Sequence, residues 1–172
     1  MTSNEKDLSW DDLNTLTAEV IGEEGPGSES WDPAKSKVDE INERYMRALR
    51  ENNGVVPGEL SDVPSLIITT TGAKSGKKRS VPLAYALIDG RLLIIASMGG
   101  AKRNPPWFHN LLANSEVLVE KDGESFEATA TVAEGVDRDS LFASICERMP
   151  VFATYQERTS RTIPVVELIR KN

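Results

Sequence analysis

The sequence predicts an α+β protein that is mainly β: a small closed or partly open barrel of about six mostly antiparallel strands with helical cover. Six runs of apolar and β-branched residues are bounded by turn residues, as expected of strands. They are residues 66–71, 80–88, 91–97, 117–121, 125–132 and 163–169. Asp-Gly pairs, a strong hairpin signal because glycine adopts positive φ at little cost, join two pairs of these runs. The runs do not alternate regularly with helical patterns, so a doubly wound parallel sheet is not expected.

Helical patterns flank and interrupt the strands. Ser9 and the apolar residues after it predict a helix start near Trp10. Asp32-Pro33 as cap and first turn, together with Gly54 as C-cap, predict a helix from about residue 34 to 52. Its buried stripe would be Val38, Ile41, Tyr45 and Leu49. Later helices are expected from Pro105-Pro106 to about Ala113, from an Asp137 cap to about Met149, and over residues 151–158.

Length and charge divide the chain into two parts. With 172 residues, one domain is expected. We assign residues 34–172 to it and residues 1–33 to an acidic, flexible N-terminal segment. Residues 1–35 contain nine acidic and two basic residues, which account for the whole net charge of −7; the remainder is neutral. This distribution disfavours nucleic acid and anionic membranes as partners and leaves room for a small anionic ligand.

The cysteine count and the hydropathy pattern indicate in which cellular compartment the protein works. Cys146 is the single cysteine and His109 the single histidine, so neither an intramolecular disulfide nor a protein-built transition-metal site is expected. No apolar run approaches the length of a membrane span, and no leader peptide is recognisable. We therefore expect a cytoplasmic protein.

A basic turn follows the first predicted strand. Lys74, Lys77, Lys78 and Arg79 fall within six residues, and glycines frame the turn at 72 and 76. Cations and free backbone N–H groups on one loop are what an oxyanion needs, although a solvated basic turn has the same composition. No G-x-G-x-x-G follows the first strand, so a Rossmann-type nicotinamide site is not expected.

The order of the motifs resembles a known family. TTTGAKSG, then VPL, then IASMGGAKRNPPWFHNLLANSEV are similar to the deazaflavin-dependent nitroreductases and quinone reductases, from about Ile41 to the C-terminus. The resemblance implies a split β-barrel of the FMN-binding type that uses reduced coenzyme F-420. It also implies hydride transfer to a quinone-like, nitroaromatic or other small conjugated acceptor, since the cofactor brings the chemistry and the protein orients it.

The resemblance also implies site residues. Tyr155 and Ser97 are the catalytic candidates, and no metal is expected. The coenzyme-binding candidates are Ala73, Lys74, Ser75, Arg79, Ser80, Val81, Pro82, Leu83, Ala84, Ile95, Ala96, Ser97, Met98, Pro106, Trp107, Phe108, His109 and Asn110. Met98 stands where relatives commonly have a lysine on the coenzyme's tail, so the resemblance implies either a reduced affinity for the tail or a transfer of this role to Lys102 and Arg103.

Several alternatives stand beside this interpretation. Trp107 has the character of a core anchor and His109 of a packing residue, while Tyr155 suits a pocket wall as well as a proton donor. Relatives active on quinones or bicyclic nitroimidazoles carry several tyrosines where this chain has Met149 and Phe152, which disfavours a nitroimidazole and leaves a flatter apolar acceptor open. FMN in place of the deazaflavin and a non-catalytic ligand-binding module are the main rivals. An oligonucleotide-binding barrel is the least favoured, and the pattern leaves open a monomer or a homodimer.

Overall fold

Six antiparallel strands close into a barrel in the structure, a computed structural model that describes residues 7–13 and 37–172. The strands are β1 Ser65–Thr71, β2 Lys78–Ile88, β3 Arg91–Ile95, β4 Glu116–Lys121, β5 Glu124–Val132 and β6 Val165–Arg170. Their order around the barrel is β1-β2-β3-β6-β5-β4, and β4 pairs back with β1. The predicted fold class is confirmed.

Within residues 37–172, four helices and one short turn complete the barrel. They are α1 Val38–Glu51, α2 Pro106–Ala113, α3 Gly135–Arg148, α4 Val151–Glu157 and a 3-10 turn over Met98–Gly100. The two predicted Asp-Gly hairpins are confirmed. Asp89 and Gly90 have φ of 51° and 78°, and Asp122 and Gly123 have 53° and 79°. Positive φ at both central residues matches the right-handed twist of the flanking strands.

Strand alternation places one apolar set inside the barrel. Leu66 and Ile68 of β1 face Val119 of β4, Ile94 of β3 and Val166 of β6 in one buried cluster. The cluster also includes Trp107, Phe108 and Leu111 of α2. Helix α2 therefore closes the end of the barrel at which β1 and β3 end and β2 begins. We call this the basic end, because the basic turn lies there.

Helices cover two parts of the outer surface. Leu141, Phe142 and Ile145 of α3, with Phe152 of α4, pack on Leu93 of β3 and its neighbours. On the other side, Ile41, Tyr45, Met46 and Leu49 of α1 pack on Ile67 of β1. The Tyr45 hydroxyl shares a buried 2.6 Å hydrogen bond with Ser65, and burial raises the pKa of this tyrosine.

Several predicted element boundaries are wrong: α1 begins at Val38 and not near residue 34, and β6 begins at Val165 and not at Ile163. Asp137 does not cap α3: Glu134 occupies that position with extended φ and ψ, and Asp137 lies in the first turn, where its carboxylate binds Arg91 at 2.8 Å. The third strand ends at Ile95 and not at Ser97, because Ser97 already has helical φ and ψ and leads into the 3-10 turn.

Helix α1 ends at Glu51 with Asn52 as its C-cap, so Gly54, the predicted C-cap, lies two positions further along the chain. Asn53 takes the left-handed conformation, and the Gly54 N–H donates to the Leu49 carbonyl at 2.8 Å, which is a Schellman motif. A Cβ on Gly54 would lie 2.7 Å from the Asp122 nitrogen, so the close approach of the β4–β5 hairpin also requires glycine. The predicted cap at Asp32-Pro33 lies outside the described residues.

Residues 7–13 pack onto the barrel domain. Ser9 caps the helical turn at residues 10–13 by exchanging hydrogen bonds with Asp12. Leu8 is buried among residues of α1, and Asp12 lies 3.5 Å from Arg44. The rest of the predicted acidic segment lies outside the described residues, so the boundary near residue 33 stays a prediction.

In the described part of the chain, no helix is long and apolar enough to cross a membrane. Within residues 7–13 and 37–172, no cluster of three or more His, Cys, Asp and Glu side chains is placed to hold a metal ion.

Candidate functional site

The basic turn between β1 and β2 is shaped by its own hydrogen bonds. The Gly72 N–H donates to the Lys77 carbonyl at 2.8 Å, and the Gly76 N–H donates to the Gly72 carbonyl at 2.9 Å. The Ser75 hydroxyl oxygen accepts from the Lys77 N–H at 3.2 Å. A Cβ on Gly72 would stand 2.4 Å from that hydroxyl, so glycine is what lets Ser75 fold back over the turn.

The turn presents unpaired donors and cations. Within the described residues, the N–H groups of Lys74 and Ser75 have no hydrogen-bond acceptor. The side chains of Lys74, Lys77 and Arg79 are exposed, and no carboxylate of the described chain forms an ion pair with them. Such a set of free N–H groups and cations fits the anionic part of a ligand.

Asn110 joins this turn to α2. Its side-chain oxygen accepts from the Ala73 N–H at 3.0 Å, and its amide nitrogen donates to the Thr70 hydroxyl at 3.1 Å. Thr70 is 1% exposed, so this second bond satisfies a buried polar group. Both polar atoms of the Asn110 amide are therefore engaged by the protein, and the basic turn and α2 form one unit.

The other residues of α2 divide by exposure. Trp107 and Phe108 are buried and pack edge to face with ring centroids 6.3 Å apart. Trp107 thus has the core position that its residue type suggested. Pro106 and His109 are exposed at the start of the helix. Direct contact of these four side chains with a coenzyme stays a prediction.

Alternation along β2 splits the predicted Pro-centred segment between two faces. Val81 and Leu83 point inward and pack against the barrel core. Ser80, Pro82 and Ala84 therefore lie on the outer face. A ligand lying along the outside of β2 would meet Pro82 and the backbone of its neighbours rather than the side chains of Val81 and Leu83.

The loop over residues 96–104 follows β3 and leads to α2. Ala96 is buried inside the barrel, while Ile95 packs outward with α3 and α4. Ser97 is 7% exposed, and its hydroxyl has no hydrogen-bond partner among the described residues. Since buried polar groups are normally paired, this hydroxyl is free to meet a ligand. Met98 then takes a φ of 46°, a strained conformation for a methionine.

Tyr155 lies on α4 beside this loop. It is half-buried against the cluster that contains Phe152, and its ring meets the Phe152 ring edge to face at 5.7 Å. The Arg158 guanidinium lies over the other side, 5.4 Å from the ring centroid. The Tyr155 hydroxyl has no hydrogen-bond partner in the described chain, so it is available to an external group.

Sequence reasoning missed Arg161, the most heavily bonded side chain of the region. Its guanidinium donates to the carbonyls of Ala96, Ser97 and Ala101 and to the Asn104 side chain. The sequence held little signal for this role: Arg161 lies between a helix and a strand, and Glu157, four residues earlier, is the more obvious partner for its charge. Thr70 was also missed, because a threonine at a strand end gives no sign that its hydroxyl will be buried.

A cavity of about 200 Å³ lies elsewhere, between the end of α1 and the β4–β5 hairpin. Leu49, Arg50, Ser65 and Glu120 are among its lining residues. None of the predicted site residues borders it. The candidate site is therefore the surface formed by the basic turn, α2, the 96–104 loop and Tyr155, and not this cavity.

Comparisons with known proteins agree with this architecture. An F420H(2)-dependent quinone reductase of Mycobacterium tuberculosis is 41% identical over 111 residues, which cover 63% of this chain and 74% of the relative. A solved F420-H2 dependent reductase is 40% identical, with a TM-score of 0.56, and covers 61% of this chain and 93% of its own. A solved structure described as a domain-swapped dimer is 36% identical, with a TM-score of 0.58, and covers 77% and 99%.

The barrel fold and the similarity to these relatives identify the protein as a split β-barrel oxidoreductase. The model of the F420H(2)-dependent quinone reductases matches residues 42–169, well over half of the chain. The chain belongs to that family, and the family implies coenzyme F-420 as its cofactor. The FMN alternative finds no support among these matches.

Proposed function

We propose that this protein binds reduced coenzyme F-420 at the basic end of its barrel and uses it to reduce a quinone-like acceptor. The observation that carries the proposal is the Asn110 amide, which bonds the basic turn and α2 into one surface. Two sequence elements that the resemblance assigns to one ligand are thereby adjacent. The free N–H groups and unpaired cations of the turn fit the coenzyme's anionic part.

The basic turn holds the charged part of the coenzyme. Arg79 pairs with Thr70 across the β1–β2 ladder and so shares its inward face at the rim of the barrel. Its planar guanidinium suits a bidentate contact with a phosphate, whereas Lys74 acts as a point charge. The N–H groups of Lys74 and Ser75 add neutral donors to the same anion.

Ser97 and Tyr155 serve the reacting end. The reduced coenzyme, when bound, supplies a hydride. The buried, unpaired Ser97 hydroxyl donates a hydrogen bond to a carbonyl of the ring or of the acceptor. An acceptor reduced by a hydride also takes up a proton, and the unpaired Tyr155 hydroxyl is the group that can donate it. The buried faces of Ile95 and Phe152 keep water from this side.

A spectroscopic titration tests the binding. Oxidised F-420 and FMN are added side by side to the purified protein, and difference absorbance is recorded. We expect saturable binding of F-420 and no comparable binding of FMN. Absence of F-420 binding would overturn the proposal, and tighter binding of FMN would restore the flavin alternative.

The role of Tyr155 is tested by Tyr155→Phe. Removing the proton donor should lower turnover of a quinone by roughly 10²-fold, the lower end of general-acid contributions, while coenzyme affinity stays as in the wild type. Steady-state oxidation of reduced F-420 measures the first quantity and the titration measures the second. An equal loss of both would show that Tyr155 is a wall of the pocket rather than an acid.

A further inference from the structure

Arg161 lies between α4 and β6, and one loop accounts for all its side-chain hydrogen bonds. Nε donates to the Ala101 carbonyl at 2.8 Å, and Nη2 donates to the Ser97 carbonyl at 2.8 Å. Nη1 donates to the Ala96 carbonyl at 3.2 Å and to the Asn104 side-chain oxygen at 2.7 Å. All four acceptors belong to the 96–104 loop, two before its 3-10 turn and two after it.

These bonds need a guanidinium. In the part of the chain that the structure describes, no carboxylate forms an ion pair with Arg161, so carbonyl dipoles alone balance its charge. Desolvation lowers the pKa of Arg161, yet an arginine stays protonated at neutral pH. The planar fork reaches four acceptors at once, and a lysine ammonium on a flexible stem cannot reproduce that geometry.

The clamped loop also packs tightly on α4. A Cβ on Gly100 would stand 2.5 Å from the Tyr155 carbonyl oxygen, and Arg158 donates to the Gly99 carbonyl at 3.1 Å. The 3-10 turn that follows Ser97 therefore contacts the helix that carries Tyr155. Arg161 itself touches neither the Ser97 hydroxyl nor the Tyr155 ring; it acts only on the backbone that carries them.

We propose that Arg161 is a positioning residue. Its guanidinium binds the 96–104 loop and so holds Ser97 and Tyr155 where one acceptor can take a hydride from the reduced coenzyme and a proton from Tyr155. The inference rests on the proposed function, because it assigns Ser97 and Tyr155 to the reacting end. Transfer reactions depend steeply on alignment, and a displacement of about 1 Å can cost roughly 10²-fold in rate. A loosened loop therefore lowers turnover more than it lowers coenzyme affinity, since the proposed function assigns the coenzyme's charged part to the basic turn.

The experiment compares Arg161→Lys and Arg161→Gln with the wild type at a temperature far below any melting transition. Hydrogen exchange of residues 97–104 reports on the loop, the F-420 titration on affinity, and steady-state kinetics on kcat and acceptor KM. We expect faster exchange in the loop and a fall in kcat of about tenfold to a hundredfold. Coenzyme affinity should change much less.

Arg91→Gln is the matched control. Arg91 is also an arginine with several hydrogen bonds, but its partners are Asp137 and Glu167, on α3 and β6. The control variant should lose thermal stability while keeping the exchange of residues 97–104 and kcat unchanged. If Arg91→Gln lost as much kcat as the Arg161 variants, Arg161 would affect turnover only through the overall stability of the protein, and the proposal would be overturned.

Chemical rescue sharpens the test. In Arg161→Gly, free guanidinium at millimolar concentration should restore part of kcat by filling the vacated site, and methylammonium, a cation without the fork, should not. If the glycine variant does not fold, Arg161→Lys makes the same comparison, because it keeps the positive charge but lacks the planar guanidinium. A folded glycine variant without rescue, or an Arg161→Lys variant with wild-type kcat, would overturn the proposal.

The proposed function and the positioning role of Arg161 can be disproved separately. A wild-type protein that neither binds F-420 nor oxidises its reduced form would sink the proposed function and this inference together. An active wild-type protein whose Arg161 variants are equally active would sink this inference alone.

Discussion

At the scale of single residues, Asn110 shows how one amide organises a site. It accepts from the exposed Ala73 N–H and donates to the buried Thr70 hydroxyl. The first bond orients the basic turn, and the second prevents a buried hydroxyl from being left unpaired. A side chain that the resemblance assigns to the coenzyme thus supports the residues around the coenzyme's anion.

Asn110→Ala should weaken the protein and its ligand binding together. Leaving Thr70 buried without a partner should cost about 1–3 kcal/mol of the free energy of unfolding, measured by urea denaturation. The untied turn should also lower F-420 affinity in the titration. Asn114→Ala is the control, since Asn114 on the same helix accepts only from the exposed Glu116 N–H. Equal affinity in both variants would contradict the role given to Asn110.

At the scale of elements, the packing of the 3-10 turn on α4 is decided by the absence of a side chain. Gly100 has a φ of +87° and faces the Tyr155 carbonyl oxygen. Gly90, in the β2–β3 hairpin, has a similar φ of +78° but no atom within 4 Å of its would-be Cβ. A substitution at Gly90 would therefore introduce backbone strain alone, whereas one at Gly100 would introduce both backbone strain and a steric clash.

Gly100→Ala should therefore cost more than Gly90→Ala. Both substitutions force a side chain into the left-handed region, at roughly 1–2 kcal/mol. Only Gly100→Ala also pushes α4 away, which should lower turnover as well as the free energy of unfolding. Urea denaturation and steady-state kinetics measure the two effects. Similar losses of unfolding free energy and turnover in both variants would mean that α4 moves away from the added methyl group at little cost.

A second contact between elements depends on pH. Arg91 joins β3 to Asp137 of α3 and to Glu167 of β6. Hydrogen bonds from Arg91 hold the pKa of Asp137 below its ordinary value of 3.8. Because the folded pKa is the lower one, the ion pair contributes stability above that ordinary value, and the contribution is lost as pH falls through the folded pKa.

Asp137→Asn should therefore lower the melting temperature near neutral pH, and the gap to the wild type should close as the pH is taken below about 4. Differential scanning calorimetry across the acidic range measures the gap. Glu147→Gln serves as the control, since Glu147 lies on the same helix and forms no ion pair with any described residue. A gap independent of pH would show that Asp137 acts by packing and not by charge.

At the scale of the whole molecule, net charge and local charge have opposite signs. The chain carries −7 overall, yet its basic turn presents unpaired cations on a domain, residues 36–172, whose net charge is zero. An anionic ligand is therefore attracted by a local field that salt screens over about 10 Å at moderate ionic strength.

Lys74→Ala combined with Arg79→Ala should weaken F-420 binding by a few kcal/mol, since each charged hydrogen bond contributes roughly 1.5–3 kcal/mol. The loss of affinity with added salt should also become shallower. Arg170→Ala with Lys171→Ala removes the same formal charge from outside the basic turn, where the two side chains pair with Glu124 and Glu116, and should leave binding nearly unchanged. Equal effects of the two double variants would place the anion elsewhere.

The sequence by itself determined the local features of this protein. Alternating β-branched runs and Asp-Gly pairs specify strands and hairpins through nearest neighbours, and the cluster of four cations is a property of six consecutive residues, 74–79. Only the tertiary structure decided which of these features meet. The Asn110 bridge spans 37 residues and the Arg161 clamp about 60, and such pairings depend on barrel closure. Because closure also sets which face of each strand is inside, the same fold turned Val81 and Leu83 into core residues while leaving Ser97 buried with an unpaired hydroxyl.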